Sequence, residues 1–500
     1  MRGSGIRSEE STHDEPPVRR PRAWRRDRHW SVGVLVLFGC VAYSTFSLVR
    51  HAHFGSGGYD LGLFDQAIWH YSRFQAPVST VYLAGPANVL SDHFSPILVV
   101  FVPFYWLWDS VDVLLVGQAL LLAVAAVPIW LFVRRRLGDV PAYCFAGAYL
   151  AYWGILQAVA FDFHEVAFAV PLIAFAILFA DRKQWHWFFG CVFVLLLVKE
   201  DLAILVVFFG AYLTLRGHRR QGAACAVIGV AAFFFITKLL MPHFAIAGSG
   251  VPRGSGQYWS YTQLGKNPFD AVKNIVVHPT LLPRVLFEPA IKQRTEFAIF
   301  WPFAFLAVFS PLTVLAIPLL GERFLSSTTS YWVQMYHYTA TISPVVAMAS
   351  ADGLANVIRW TRSDARRRTR IAVTAAAVVL VLNVVTLPNS PLWSLTHSGF
   401  YRQTATVSAG NAALAHIPAG VSVEAQNAVA PHVTHRNVVT LLTPLSGNET
   451  YIIASIHSSP APVFTRRTDL QKYLATKETH GYVVVFHRNG WLVLAERPRG

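Results

Sequence analysis

Residues 30–48 read WSVGVLVLFGCVAYSTFSL, and residues 19–28 before them read RRPRAWRRDR. A helix needs about 20 apolar residues to cross the hydrocarbon core of a bilayer, so the uncharged stretch is long enough to span. It is also longer than the roughly 7–15 apolar residues of a signal peptide. We therefore predict a retained membrane span after a disordered, basic cytoplasmic tail, residues 1–28.

The composition of the whole chain agrees with lipid as its main solvent. Apolar residues make up 54% and charged residues 14%, against about 25% charged in soluble domains. The net charge of +15 does not indicate nucleic acid, since no basic face with interleaved aromatics is visible. Basic runs instead border apolar segments, as the positive-inside rule predicts. They are residues 19–28, 134–136, 182–183, 216–220 and 359–370.

The predicted fold class is an all-α polytopic transmembrane bundle of about eleven spans within residues 29–390. The run 94–108 is interpreted as juxtamembrane or re-entrant, and 296–325 is interrupted by prolines. With the N-terminus in the cytoplasm, every basic run then falls on the cytoplasmic side and the C-terminus falls outside. The predicted spans are 30–48, 112–133, 141–160, 165–181, 185–198, 201–216, 222–240, 296–308, 311–325, 337–356 and 371–387.

Residues 395–500 differ in character and predict a small extracytoplasmic α/β domain. Runs rich in β-branched residues at 421–425, 438–442 and 451–456 indicate strands. Residues 482–487 and 491–496 flank Asn489-Gly490, a hairpin turn signal. Residues 468–477 have helical spacing.

The acidic residues are distributed unevenly between the two predicted sides. Of sixteen Asp and Glu between residues 30 and 356, only Asp139, Asp181 and Asp352 are predicted to be cytoplasmic. Acidic residues have little influence on topology, so the asymmetry suggests that the outer side carries a function.

The first outer loop, residues 51–111, contains two motifs that could carry chemistry. In YDLGLFDQAIW, residues 59–69, the apolar positions share one helical face, which predicts an interfacial helix. Asp60 is either its N-cap or a general base or metal ligand. Asp65 lies about 140° around the helix from Asp60, so the two do not share a face. In DHFSP, residues 92–96, His93 precedes a helix start and is either an anion ligand or a plain interfacial histidine.

Three later motifs fall on the same predicted side. In FDFHE, residues 161–165, Asp162 and Glu165 fit a capping box, which leaves His164 unexplained. Lys199-Glu200-Asp201 is either a tight hairpin tip or a phosphate-binding lysine with a carboxylate that orients a substrate hydroxyl. In YHY, residues 336–338, His337 is either part of an aromatic belt or an acid–base or phosphate-binding group.

The motifs YDLGLFDQAIW, DHFSPILVVFVPFY, FDFHEVAFAVPL, VKEDLAI and YHYTATISP occur in this order. Together with VSVEAQNAVAPHVTHRNVV and YIIASI, they resemble a bacterial polytopic membrane family of unknown function over roughly residues 30–500. Gly321-Glu322-Arg323 departs from the expected uncharged stretch. That family is similar to the C-type glycosyltransferases, which use polyprenyl-phosphate sugars on the outer membrane face. The resemblance implies that an acidic residue in the first outer loop is catalytic. Asp60 matches that position best, and Asp65 is second.

The favoured hypothesis is a transferase that takes a polyprenyl-phosphate sugar to a glycan or lipid acceptor. Lys199, His93 or His337 would hold the phosphate, and Asp162, His164 and Glu165 would shape the acceptor or metal site. The C-terminal domain would bind acceptor glycan. No cofactor is assigned, and a divalent cation stays open. Two rivals are a transporter or flippase of a lipid-linked or polar solute, and a non-enzymatic scaffold that presents the C-terminal domain.

Overall fold

The computed structural model describes residues 29–246, 259–444 and 449–497. It is mostly helical, with a small sheet domain formed by the C-terminal residues, as predicted. The predicted tail of residues 1–28 lies outside the described residues.

Within the described part of the chain, four helices are long and apolar enough to cross a bilayer. The span Asp112–Leu137 is central, since 67% of its most apolar window is buried in the protein. The corresponding share is 28%, 28% and 22% in the other three, which therefore expose more surface to lipid. These three are Trp30–Ala52, Arg219–Phe244 and Ala365–Asn389.

The remaining helices of the bundle are mostly shorter, and the predicted count of about eleven spans is not confirmed. Residues 296–325 illustrate the reason: the helix ending at Phe300 is followed by 3-10 turns, with Ala304 and Phe305 in left-handed conformations. Prolines remove backbone donors there, and such breaks persist where protein surrounds them. The helices are Asp139–Ala151, Trp153–Ala160, Ala169–Asp181, Trp185–Leu195, Leu202–Leu215, Pro268–Val277, Leu281–Phe287, Ala290–Phe300, Ala316–Leu325 and Ile342–Trp360.

The first outer loop forms a chain of short elements after the first span. The helix predicted over residues 59–69 is present as a π-helical turn that continues into an α-helix, and Asp60 lies inside that turn instead of capping it. The predicted 94–108 segment is a short 3-10 turn and helix. The elements are Gly58–Gly62, Leu63–Ser72, the paired strands Val78–Ser79 and Ala87–Asn88, Val89–Asp92, Pro96–Phe101 and Val102–Leu107.

The C-terminal domain is a five-stranded mixed sheet with helices Ala405–Leu414 and Arg467–Thr479. The predicted hairpin is confirmed: its last two strands pair antiparallel, and both Asn489 and Gly490 have positive φ. The first strand in sequence pairs in parallel with two neighbours. The strand order is Val438–Leu441, Ser422–Ala425, Tyr451–Ser455, Trp491–Glu496 and Tyr482–Arg488.

The first outer loop packs directly against this domain. Phe54 has its ring 4.5 Å from that of Trp491 and 4.4 Å from that of His432. The Gly58 N–H donates to the carbonyl of Asn427 at 2.7 Å. A Cβ on Gly58 would lie 2.5 Å from that of Ala430, so only glycine permits this approach. The backbone just ahead of Asp60 is thereby fixed by the C-terminal domain.

A fully buried carboxylate, that of Asp65, joins the loop to the domain. It accepts hydrogen bonds from Tyr105 Oη at 2.9 Å and Thr434 Oγ1 at 2.8 Å. His435 Nδ1 lies 2.9 Å from Asp65, and its Nε2 lies 2.7 Å from Asp109 Oδ1. Because both ring nitrogens face carboxylates, His435 is an imidazolium that bridges them.

Replacing His435 by Ala is expected to loosen the attachment of the C-terminal domain. Asp65 and Asp109 would lose their shared cation, and a hydrogen bond to a charged group contributes about 1.5–3 kcal/mol. Opening of this contact should become about tenfold more frequent or greater. Amide hydrogen exchange in residues 58–68 and 427–437 measures it, with exposed His487→Ala as control.

The same contact is expected to weaken as the pH rises. Burial lowers the pKa of His435, but the hydrogen bonds and charges of Asp65 and Asp109 raise it further, so the net shift is upward. The stabilisation is therefore complete below about pH 6.5 and is lost as pH rises through the raised pKa of the folded state. If His435→Ala shows the same pH dependence of exchange as the unchanged protein, this assignment is wrong.

Candidate functional site

His164 pairs with Asp60 across two chain segments. Its Nε2 lies 3.4 Å from Asp60 Oδ1, and its Nδ1 lies 3.1 Å from the Asp162 carbonyl. Both nitrogens face acceptors, which requires the doubly protonated ring. Burial lowers the pKa of His164, but Asp60 and Glu165 raise it, and the net shift is upward. The first outer loop thus places a carboxylate beside a buried cation.

His337 stacks on His164 and differs from it in charge. The ring centroids are 3.7 Å apart and the planes differ by 25°. Burial and the positive charge of His164 hold the pKa of His337 well below its usual range. Its Nδ1 is buried and has no hydrogen-bond partner among the described residues. A neutral imidazole nitrogen is therefore available for a bound group.

Lys199 extends the same cluster through two carboxylates. Its Nζ lies 3.6 Å from Glu165 Oε1 and 3.6 Å from Asp201 Oδ2. Burial lowers the pKa of Lys199, but these carboxylates outweigh it, so the amine stays charged. The other Glu165 oxygen, Oε2, is buried and without a partner in the described structure. The predicted capping box is absent, since the turn that begins at Glu165 has no side-chain cap.

His93 and Glu200 form an ion pair next to Lys199. His93 Nδ1 lies 2.9 Å from Glu200 Oε1, and the Phe94 N–H donates to Glu200 Oε2 at 3.0 Å. Burial and Lys199 lower the pKa of His93, but Glu200 dominates and the pKa rises to about 9. The Lys199–Asp201 segment is therefore no simple hairpin tip, since its charges reach two other segments, at Glu165 and at His93.

Asp162 supports this cluster by binding the chain just ahead of Asp60. Arg50 Nη1 lies 2.8 Å from Oδ1, and the Gly57 N–H donates to Oδ2 at 2.7 Å. Gln118 Nε2 donates to the Asp162 carbonyl at 3.2 Å, and its Oε1 accepts from the His164 N–H at 3.1 Å. Arg50 was not predicted; its signal was an arginine at the outer end of the first span, against the positive-inside rule.

A small cavity of about 40 Å³ borders Lys199 and His337. Glu322 and Arg323, which stood out as a departure in the sequence, also line it. The Arg323 guanidinium is buried and hydrogen-bonds to the carbonyls of Tyr331 and Val333 and to Thr339 Oγ1. It thereby shapes the segment that presents His337.

Most of the predicted site residues therefore meet, and one does not. Asp60, His164, Glu165, Lys199, Asp201 and His337 form one connected cluster, and His93 with Glu200 adjoins it. Asp65 is instead enclosed at the domain contact. Among the described residues, no group of three or more His, Cys, Asp or Glu side chains is arranged so that it could hold a metal ion.

Residues 50–493 match a family described as "Predicted membrane protein (DUF2079)", and the chain belongs to this family. No curated protein matches the sequence. The resemblance to a polytopic membrane family is thus confirmed, and the protein is a membrane protein.

Two solved structures of one protein, ArnT, share the fold, and a third solved structure is similar at a lower score. ArnT from Cupriavidus metallidurans bound to undecaprenyl phosphate is 14% identical, with 94% of this chain and 99% of that chain covered at a TM-score of 0.50. The apo state of ArnT from the same organism is also 14% identical, with 93% of this chain and 98% of that chain covered at a TM-score of 0.53. An oligosaccharyltransferase from Archaeoglobus fulgidus, tethered with an acceptor peptide, is 11% identical, with 86% of this chain and 70% of that chain covered at a TM-score of 0.49. The predicted resemblance to C-type glycosyltransferases is confirmed at the level of the fold.

The Glu200→Gln variant is expected to lower the pKa of His93 from about 9 to its ordinary value near 6.5 or below. Burial and the charge of Lys199 would still lower the pKa of His93, and the Glu200 carboxylate would no longer raise it. Titration by NMR of histidine-labelled protein measures the shift. The matched control is Asp201→Asn, which removes a neighbouring carboxylate that contacts Lys199 instead. An equal shift in both variants would contradict the specific pairing.

Proposed function

We propose that this member of the DUF2079 family transfers a sugar from a polyprenyl-phosphate donor to an extracytoplasmic acceptor. The observation that carries the proposal is the convergence of Asp60, His164, His337 and Lys199, from four separate segments, on one buried cluster. Buried ionisable groups at a membrane interface are costly and are mainly kept for function.

The cluster is proposed to face the outer side of the membrane. It lies at the end of the bundle where the Asp112–Leu137 span begins, whereas Arg134–Arg136 lie at the other end of that span. The positive-inside rule then assigns the arginine end to the cytoplasm. The C-terminal domain, which contacts the loop carrying Asp60, would be extracytoplasmic.

Asp60 is proposed as the general base. The transfer forms a bond between the acceptor oxygen and the anomeric carbon, and breaks the bond from that carbon to the phosphate oxygen. Attack from the side opposite the phosphate inverts the anomeric centre, and Asp60 takes the hydroxyl proton. Its side chain is 28% exposed, so an acceptor can reach it, while His164 fixes its orientation.

Lys199 and His337 are proposed to hold the departing polyprenyl phosphate. Lys199 is charged and borders the small cavity, and the His337 Nδ1 in the same place lacks a partner among the described residues. Charge-assisted hydrogen bonds to phosphate suit this pair. The charge of His93 is already balanced by Glu200. His93 would therefore help to position Lys199 and would not bind the phosphate itself.

The remaining candidates have supporting roles in this proposal. Asp162 and Glu165 would shape the acceptor side, while Glu200 and Asp201 set the orientation of Lys199. Asp65 would attach the C-terminal domain, which would bind the acceptor. A polyprenyl-phosphate partner is further supported by ArnT, a protein of this fold bound to undecaprenyl phosphate.

Asp60→Asn is expected to reduce transfer by about 10²–10⁴-fold, the usual contribution of a general base. Membranes containing the full chain are supplied with labelled polyprenyl-phosphate sugar, and label in the acceptor fraction is counted. The control is Asp139→Asn, an exposed carboxylate at the opposite end of the bundle. Equal transfer by Asp60→Asn and the unchanged protein would refute the role of Asp60. Movement of label across proteoliposomes without a covalent product would favour the transporter.

Lys199→Gln is expected to weaken donor binding by about tenfold or more, since one charged hydrogen bond to phosphate is lost. Inhibition of transfer by free polyprenyl phosphate reports this binding directly. Lys183→Gln, an exposed lysine at the arginine end, is the control. Unchanged inhibition in Lys199→Gln would place the phosphate elsewhere.

A further inference from the structure

A second cavity, of about 460 Å³, lies at the end of the bundle opposite the candidate site. The span Asp112–Leu137 has 26 residues, so its two ends are about 39 Å apart at 1.5 Å per residue. The cavity surrounds its C-terminal end and is bordered by the ends of four further helices. This cavity is therefore separate from the chemistry proposed above.

The lining of the cavity carries five arginines and two aspartates. Both aspartates are committed to one arginine: Arg136 Nη2 lies 2.5 Å from Asp181 Oδ1, and its Nε lies 2.9 Å from Asp352 Oδ1. Ser310 Oγ donates to the other Asp352 oxygen at 2.7 Å. These contacts join three helices and the chain at Ser310 beside the cavity.

The other four arginines have no carboxylate partner among the residues that the structure describes. They are Arg135, Arg216, Arg359 and Arg368. Arg368 lies in the first turn of a 20-residue helix, whose positive end disfavours cations and favours an anion. Asp364 caps that helix through the Arg367 N–H, so it does not reach the cavity as a counterion. Among the described residues that line the cavity, five guanidinium groups against two carboxylates leave an excess of three positive charges.

The lining is also partly apolar, with Leu137, Ala355, Ile358 and Ala372 beside the arginines. A guanidinium fork matches phosphate oxygens, and an apolar wall suits the glycerol and first methylenes of a lipid. Basic pockets between membrane helices are suited to lipid head groups that carry phosphate. We propose that this cavity binds the head group of an anionic phospholipid, with room and charge for two phosphates.

The experiment compares lipid binding to the purified full chain and to two charge-matched double variants. Arg216→Gln with Arg368→Gln removes two cavity arginines and spares the Arg136 contacts. Arg219→Gln with Arg366→Gln removes two neighbouring arginines that are exposed, as the cavity pair is, but do not line the cavity. Retention of diphosphatidylglycerol is measured by native mass spectrometry, with phosphatidylcholine and inorganic pyrophosphate as comparison ligands.

The unchanged protein and the exposed-site variant should bind diphosphatidylglycerol within about twofold of each other. The cavity variant should bind it about tenfold more weakly or worse. Equal weakening of both variants would reduce the effect to general surface charge and overturn the proposal. Tight binding of pyrophosphate without preference for the lipid would overturn the lipid assignment. If the double variant elutes as an aggregate, the single variants Arg216→Gln and Arg368→Gln decide by the same criteria.

Discussion

The carboxylate of Asp162 connects the parts on which the candidate site depends. A charge buried at the edge of a bilayer is stable only with partners, and Asp162 finds them in Arg50 and the Gly57 N–H. These bonds tie the end of the first span to the start of the turn containing Asp60. Its carbonyl meanwhile orients His164. Breaking this one contact would therefore displace both members of the Asp60–His164 pair.

Charge is handled differently at the two ends of the bundle. At the site end, Lys199, His93 and His164 each lie against a carboxylate, so their electrostatics are largely balanced within the protein. At the other end, Arg136 lies against two carboxylates, whereas the other four arginines of the cavity have no carboxylate partner among the described residues. If this end faces the cytoplasm, as proposed, the positive-inside rule accounts for arginines there. It does not explain why four of them converge on a cavity.

Features that local sequence patterns encode could be predicted well, whereas pairing between residues far apart in the sequence could not. The apolar run after the basic tail and the Asn489-Gly490 hairpin are encoded by neighbouring residues, so both could be predicted. The motif containing Asp162 and His164 could also be found, but not the direction of its side chains. The pairing of Asp65 with His435 depends on tertiary packing and has no local signal. The prolines of residues 296–325 predicted an interruption there, but not the left-handed conformations of Ala304 and Phe305, which depend on the surrounding protein.

The contact between Asp65 and His435 also bears on how the chain matures. The two residues are 370 positions apart in sequence, and ribosomes add about 5–20 residues per second. Asp65 must therefore wait roughly 20–70 s after its own synthesis before its histidine exists. During that interval the first outer loop lacks its attachment and the Asp60 turn lacks its support. The segment that carries Asp60 would therefore be fixed in place only late in the synthesis of the chain.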